Sequence, residues 1–211
     1  MLVIGGGPAG IAAALTVARS GARVVLADED FAFGGRLLSD CRTIDQMPGP
    51  TWVAQAIAEL GSLPNVRLLP LTTVFGAYDG GTYGAVERVS DHLPAPLPYL
   101  PRQRLWRIVA RECVLATGSI ERPLVFGNND RPGVMLAGAV RSYVNRYGTL
   151  PGQRAIVFTD NDDAWTTANA LLAAGGEVAA VVDSRPGDVI RRLAAQVPGV
   201  PAIAGEIVTV R

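Results

Sequence analysis

Met1-Leu2-Val3-Ile4-Gly5-Gly6-Gly7-Pro8-Ala9-Gly10 decides how this 211-residue chain is to be read. Met1 to Ile4 is wholly apolar, as a parallel strand buried on both faces must be. Gly5 to Gly10 fits the pattern G-x-G-x-x-G. Gly5 permits a tight turn, Gly7 leaves room for a pyrophosphate close to the backbone, and Gly10 lets the next helix lie close against the strand. Ile11 to Arg19 is rich in Ala and reads as that helix, with Gly21 as its stop. Its N-terminus offers unpaired N–H groups and the positive end of the helix dipole to an anion. Arg23 to Ala27 is a second apolar strand and ends in Asp28-Glu29-Asp30. The whole is a βαβ unit of about 30 residues, the size of a mononucleotide-binding half.

An acid at the tip of the second strand accepts hydrogen bonds from the hydroxyls of an adenosine ribose, and its charge repels a 2′-phosphate. The spacing from Gly10 favours Asp28, and Glu29 stands ready to share the work. Gly34-Gly35-Arg36 follows where a backbone must pass close to a dinucleotide. Arg36 is either a partner for the pyrophosphate or a solvated cation on a flexible loop. Much further along, the apolar strand Cys113-Val114-Leu115 runs into Ala116-Thr117-Gly118, small enough to cross beneath a bound dinucleotide. The expected binding set is Gly5, Gly7, Pro8, Ala9, Gly10, Asp28, Glu29, Gly35, Arg36, Thr117 and Gly118.

Between these motifs, Pro48-Gly49-Pro50 is a break and Thr51 a plausible N-cap for a helix carrying Trp52, Val53, Ala56, Ile57 and Leu60 on one face. Val66 to Leu69 reads as a strand. Thr72 to Val89 reads as a hairpin turning at Asp79-Gly80-Gly81, and the prolines of Leu93 to Pro101 impose a loop. After the turn at Arg131-Pro132-Gly133 comes a helix with Leu136, Val140, Tyr143, Val144 and Tyr147. Pro151-Gly152 is the expected domain boundary, and beyond it the alternation restarts. Strands are expected at Ala155 to Phe158, Val178 to Val182 and near Ile203, with helices at Ala164 to Ala173 and Val189 to Ala195. The expected fold is α/β: a Rossmann-like doubly wound parallel sheet of the FAD/NAD(P)-binding kind over residues 1–150, with a small antiparallel β insertion at about 70–112, and a truncated second nucleotide-binding-like unit over residues 151–211. Two and a half βα repeats fall short of a complete open sheet, so a fragment of a longer protein is expected.

Composition narrows the function. Lys plus Arg and Asp plus Glu both number 19, which argues against nucleic acid or an anionic membrane surface as the main partner. Apolar residues make up 49%, ample for a core. No run of 18 apolar residues predicts a membrane span, and no basic leader precedes the opening strand, so a reducing, cytoplasmic setting is expected. One His and two distant Cys predict neither a metal centre nor a disulfide framework.

Longer strings carry a resemblance. The glycine motif, acid, Gly-Gly and Ala-Thr-Gly series is similar to that of the two-dinucleotide-binding-domain flavoproteins, the fold of glutathione and thioredoxin reductases. Leu26-Ala27-Asp28-Glu29-Asp30, Gly34-Gly35-Arg36-Leu37-Leu38, Val86-Glu87-Arg88-Val89, Arg102-Gln103-Arg104-Leu105-Trp106 and Ile120-Glu121-Arg122-Pro123-Leu124-Val125-Phe126 resemble more closely the alpha subunit of heterotetrameric sarcosine oxidase. Asn129-Asp130-Arg131-Pro132-Gly133-Val134-Met135 and Tyr143-Val144-Asn145-Arg146-Tyr147 extend the likeness over nearly the whole chain. The resemblance implies an oxidoreductase acting on CH–NH donors, oxidising sarcosine to glycine with hydrogen peroxide and passing the one-carbon unit to tetrahydrofolate or releasing formaldehyde. It implies beta, gamma and delta subunits as partners, with the amine-oxidising flavin in the beta subunit and another at the alpha–beta interface. It also implies NAD on Gly5, Gly7, Gly10, Asp28, Glu29, Gly35 and Gly118, and no catalytic residue in this portion. Two alternatives stay open: FAD in the same cleft of a related amine dehydrogenase or electron-transfer flavoprotein, or an assembly scaffold with a vestigial nucleotide site.

Departures from the reductase pattern matter too. Cys41 stands alone after the Gly-Gly turn and Cys113 reads as a small core residue, so disulfide-reductase chemistry is unsupported. In the second βα turn, Thr159-Asp160-Asn161-Asp162-Asp163 replaces the glycines. Carboxylates at a helix N-terminus suit its dipole and repel a pyrophosphate, so this turn is expected to be a capping loop rather than a nucleotide site. His92 reads as a loop histidine with a structural hydrogen bond. Tyr78, Tyr83 and Trp106 read as hairpin packing, and Trp52 and Trp165 as core or interdomain residues.

Overall fold

The computed structural model describes residues 1–205, so the last six residues of the expected second domain, 206–211, lie outside the described residues. The chain divides into two compact units, Met1–Ser119 and Ile120–Arg211. The boundary expected at Pro151-Gly152 lies inside the second of these. The segment ahead of it is helical and packs Val140, Val144 and Leu150 onto the core of the strands and helices that follow.

In the first unit, β1 (Leu2–Ile4), α1 (Pro8–Arg19) and β2 (Val24–Ala27) form the expected βαβ. The short pair β3 (Thr43–Ile44) and β4 (Met47–Pro48) precedes α2 (Gly49–Ser62), and β5 (Val66–Leu69) follows it. The break expected at Pro48-Gly49-Pro50 is instead the start of α2, with Pro50 in its first turn. A proline there gives up only an N–H that has no helical partner. β6 (Thr72–Tyr78), β7 (Thr82–Arg88) and β8 (Gln103–Val109) form an antiparallel sheet, and β9 (Cys113–Leu115) returns to the parallel one.

The parallel order is β5-β2-β1-β9. Leu2 lies between Val25 and Cys113, and Ile4 between Ala27 and Leu115. Alternation then sorts the two faces. Val3, Val24 and Leu26 pack with Ile11, Leu15, Val53 and Leu60 of α1 and α2. Leu2, Ala27 and Leu69 pack with Ala85 and Ile108 of the antiparallel sheet. A parallel sheet sandwiched in this way explains why its strands are apolar without alternation.

The second unit begins with an irregular stretch containing turns, then α3 (Ala137–Arg141), which runs into a π-helical turn at Ser142–Arg146. β10 (Arg154–Thr159), α4 (Asp163–Ala173), β11 (Glu177–Asp183), α5 (Gly187–Ala194) and β12 (Ala202–Ala204) complete it, with the three strands parallel in the order β10-β11-β12. Trp165, Ala168, Leu171, Val181 and Ile190 form its core.

Candidate functional site

The glycine turn between β1 and α1 is shaped by contacts that leave two glycines no alternative. Gly5 has φ +102°, and a Cβ there would stand 2.3 Å from the Ala116 carbonyl oxygen. A Cβ on Gly10 would stand 1.8 Å from the Gly5 carbonyl oxygen. Helix and strand therefore approach as closely as the backbone allows. Gly7 differs: a Cβ there meets nothing within 4 Å. No protein atom explains the absence of a side chain at Gly7, and the space in front of it is the room that a phosphate group needs. Pro8 opens α1 directly after Gly7, and Gly7 is the N-cap without a side-chain acceptor, so no side chain competes for the N–H groups of that first turn.

The surrounding loops are tied to this turn. The Gly5 N–H donates to the Ala27 carbonyl at 2.8 Å, the Ala116 N–H to the Ile4 carbonyl at 2.8 Å, and the Gly34 N–H to the Gly6 carbonyl at 2.7 Å. Gly34 and Gly35 adopt φ +133° and +51°, and a Cβ on Gly35 would stand 3.0 Å from Gly7 Cα. The three expected glycine-containing motifs thus meet at one mouth: Gly5 to Gly10, Gly34-Gly35 and Ala116-Thr117-Gly118. Thr117 and Gly118 are exposed there. Phe33, buried and unremarked in the sequence, fills the space that Gly6 leaves empty.

Asp28 and Glu29 behave differently from one another. Asp28 Oδ2 accepts from the Gly6 N–H at 2.5 Å, and Asp28 Oδ1 accepts from the Asp30 N–H at 2.8 Å. Both oxygens of the acid that spacing favours are thus engaged by the protein's own loop. Glu29 is exposed, and its carboxylate has no partner among the described residues. It borders an open cleft of about 500 Å³ shared with Asp30, Thr73 and Arg88. Arg36 is exposed, with Nε 3.5 Å from the buried Asp40 carboxylate, which Arg42 also approaches at 3.4 Å.

The second βα turn is built on the opposite plan. Asp162 pairs with Arg185 Nη1 at 2.5 Å. Arg185 also grips Asp183, which accepts from Nε at 2.9 Å and from Nη2 at 2.7 Å, and Asp183 further accepts from the Trp165 indole at 3.0 Å. Asp183 is fully buried. Burial opposes its charge, but the Arg185 guanidinium, the Trp165 indole and the Arg185 backbone N–H outweigh that and hold its carboxyl below the usual value of 3.8. Asp163 is held by the fully buried Arg141, whose Nη2 lies 2.6 Å from it while Nη1 donates to the Thr167 hydroxyl at 2.7 Å. Charged side chains that bond one another occupy the place where the first unit has bare glycine.

The remaining singled-out residues fall away from these turns. Cys41 is exposed and Cys113 half-buried, both as free thiols. His92 is exposed with no hydrogen-bond partner among the described residues, so the structural bond expected for it is not found. Trp165 belongs to the core of the second unit and Trp52 packs on the core of the first. Among the described residues no cluster of three or more His, Cys, Asp or Glu is placed to hold a metal, and no helix is long and apolar enough to cross a membrane.

Comparison with known proteins agrees with this geometry. Residues 1–60 match the family model of FAD dependent oxidoreductases. The chain is 57% identical to sarcosine oxidase subunit alpha of Rhizobium meliloti (strain 1021) over 186 residues, covering 88% of the chain and 19% of that protein. It is 45% identical to the subunit of the same name from Corynebacterium sp. (strain P-1) over 210 residues, covering 99% of the chain and 22% of that protein. The crystal structure of L-proline dehydrogenase from P. horikoshii superposes with a TM-score of 0.69 at 25% identity, covering 86% of the chain and 34% of that structure. The chain spans about a fifth of the length of the sarcosine oxidase relatives. Over that stretch, with an FAD-dependent oxidoreductase motif at its head, the chain is homologous to the alpha subunit of sarcosine oxidase.

Proposed function

We propose that this chain is the dinucleotide-holding portion of an oxidoreductase alpha subunit whose complex oxidatively demethylates sarcosine to glycine with release of hydrogen peroxide. The observation that carries the proposal is the open space in front of Gly7, at the head of a helix whose first turn has no side-chain cap. The residues fit an ADP-containing cofactor. Gly7, Ala9 and Gly10 present backbone N–H groups to the pyrophosphate, Gly7 adds clearance, and Pro8 sets the first helical residue without a donor of its own. Gly35 and Gly118 line the mouth at positive φ, with Thr117 beside Gly118 and the Arg36 cation near the Gly-Gly turn. Glu29 takes the ribose hydroxyls, and Asp28 holds the glycine loop in shape from behind.

A dinucleotide bound here supplies two-electron redox chemistry that these side chains lack. Among the described residues no general acid–base pair or redox thiol stands beside the turn, and the role proposed for them is to bind and orient. NAD is the cofactor proposed, with the beta, gamma and delta subunits as partners and the cytoplasm as the setting. FAD is the second reading, favoured by the match of residues 1–60 to FAD dependent oxidoreductases; both share the ADP half that these residues read. Denaturing the full-length protein and identifying the released small molecule by mass decides between them. NAD is expected, a flavin would transfer the site to the second reading, and an empty site would overturn both.

A further inference from the structure

Three successive carbonyls at the end of β2 run past the turn that leads into β6. Asp28 O accepts from the Thr72 N–H at 2.7 Å and Asp30 O from the Leu71 N–H at 2.9 Å. Between them, Glu29 O is served by a side chain: Arg88 Nη2 donates to it at 2.7 Å, across 59 residues of sequence. Arg88 is anchored by its own backbone, its N–H donating to Leu71 O at 2.9 Å. The guanidinium therefore reaches the Glu29 peptide from a fixed base at the end of β7. Its charge also bears on Asp91, no further hydrogen bond holds it among the described residues, and it borders the same 500 Å³ cleft as the Glu29 carboxylate.

Resting on the dinucleotide reading above, we propose that Arg88 is a positioning residue for the adenosine end of the nucleotide. By clamping the Glu29 peptide it keeps the Glu29 carboxylate beside the cleft shared with Asp30, Thr73 and Arg88, where the ribose hydroxyls would reach it. Glu29 is exposed and nothing among the described residues bonds its carboxylate, so the clamp fixes only the backbone from which the side chain projects, and without it more has to be ordered at the moment of binding, at a cost in conformational entropy.

The test uses the full-length protein stripped of bound nucleotide, with ADP and inorganic pyrophosphate as probes in titration calorimetry. Glu29→Gln and Arg88→Ala are each expected to weaken ADP binding about tenfold, the scale of one charge-assisted hydrogen bond. The double variant is expected to lose about tenfold as well, because Arg88 acts through Glu29. Pyrophosphate affinity, which depends on the glycine turn, is expected to hold in all of them. Arg88→Lys, which keeps a donor and the charge, recovers most of the ADP affinity. A merely structural role would instead weaken ADP and pyrophosphate together. ADP binding unchanged by Arg88→Ala, or a hundredfold loss in the double variant, overturns the clamp and leaves the nucleotide site standing. A wild-type protein that binds no ADP overturns the site itself. If Arg88→Ala is too unstable to titrate, Arg88→Met decides in its place, because it keeps the aliphatic stem but no donor: a tenfold loss supports the clamp and wild-type affinity overturns it.

Discussion

The two βα turns share a topology and differ in almost everything that touches an anion. Each follows a parallel strand and opens a helix of similar length, and each lies next to a second strand with an acid at its end. At the first turn the helix begins at Pro8 behind a bare Gly7, and Asp28 is folded inward to bond the loop, leaving Glu29 outward. At the second, Asp162 and Asp163 stand at the head of α4 and are neutralised from within, one by Arg185 and the other by Arg141. The acid at the end of β11, Asp183, is fully buried and used up by Arg185 and Trp165. A nucleotide-binding fold is thus not a nucleotide-binding site. What distinguishes the turns is whether the helix dipole is left for a ligand or satisfied by the chain itself.

The largest expected effect breaks the second plan. Asp183→Ala leaves the Trp165 indole N–H unpaired and Arg185 with Asp162 alone beside a cavity, and breaking a buried ion pair costs about 3–5 kcal/mol. Thermal unfolding is expected to show the second unit melting early, with ADP affinity of the first unit unchanged. An unperturbed melting profile would mean that the network is decorative.

The next effect separates two glycines of one motif. Gly10→Ala drives a methyl into the Gly5 carbonyl at 1.8 Å, and overpacking against backbone costs about 3 kcal/mol. Gly7→Ala meets no protein atom. The small loss of an N-cap glycine is offset by a less flexible unfolded chain, so stability is expected to change by less than about 0.5 kcal/mol. ADP affinity is nonetheless expected to fall about tenfold, since the methyl sits in the phosphate space. Chemical denaturation paired with ADP titration checks both, and equal stability losses at the two positions would erase the distinction drawn between them.

These effects also mark how far reading the chain alone can go. Period and punctuation locate the strands and helices of both βα units, because buried strands and glycine turns are local properties. Asp28 and Glu29 show the limit. Spacing from Gly10 selects Asp28, but nothing local reveals that the Gly6 and Asp30 N–H groups consume its oxygens. Arg141 looks like an ordinary cation in the last turn of a helix, and it is buried because Asp163 and Thr167, more than twenty residues on, close over it. Arg88 reads as the polar end of a strand until the Glu29 carbonyl is found beneath it. Pro48-Gly49-Pro50 consists of residues that usually end helices, so the helix is read as starting behind Thr51, whereas α2 begins at Gly49. For the Gly6 bond to Asp28, for Arg141 and for Arg88 the missing information is a long-range partner, which no window of neighbouring residues contains.

The smallest effect sharpens the comparison through pH. The Asp183 carboxyl is held below 3.8 in the folded protein, so the folded state binds fewer protons than the unfolded state in acid. Its stabilisation is therefore fully present above the unfolded value and is lost as pH falls from about 4 through the lower folded value. In the first unit, Glu59 beside Arg19 and Asp91 beside Arg102 and Gln103 are also held low, but both pairs face solvent. Salt near 1 M screens exposed pairs strongly and a buried one far less. At that salt concentration the acid sensitivity of the first unit is expected to shrink while that of the second persists, and Asp183→Asn is expected to remove the persistent part. Acid unfolding curves followed at low and high salt read this directly. Sensitivity that salt abolishes in both units alike would mean that Asp183 is open to water and that the second turn is no more sealed than the first.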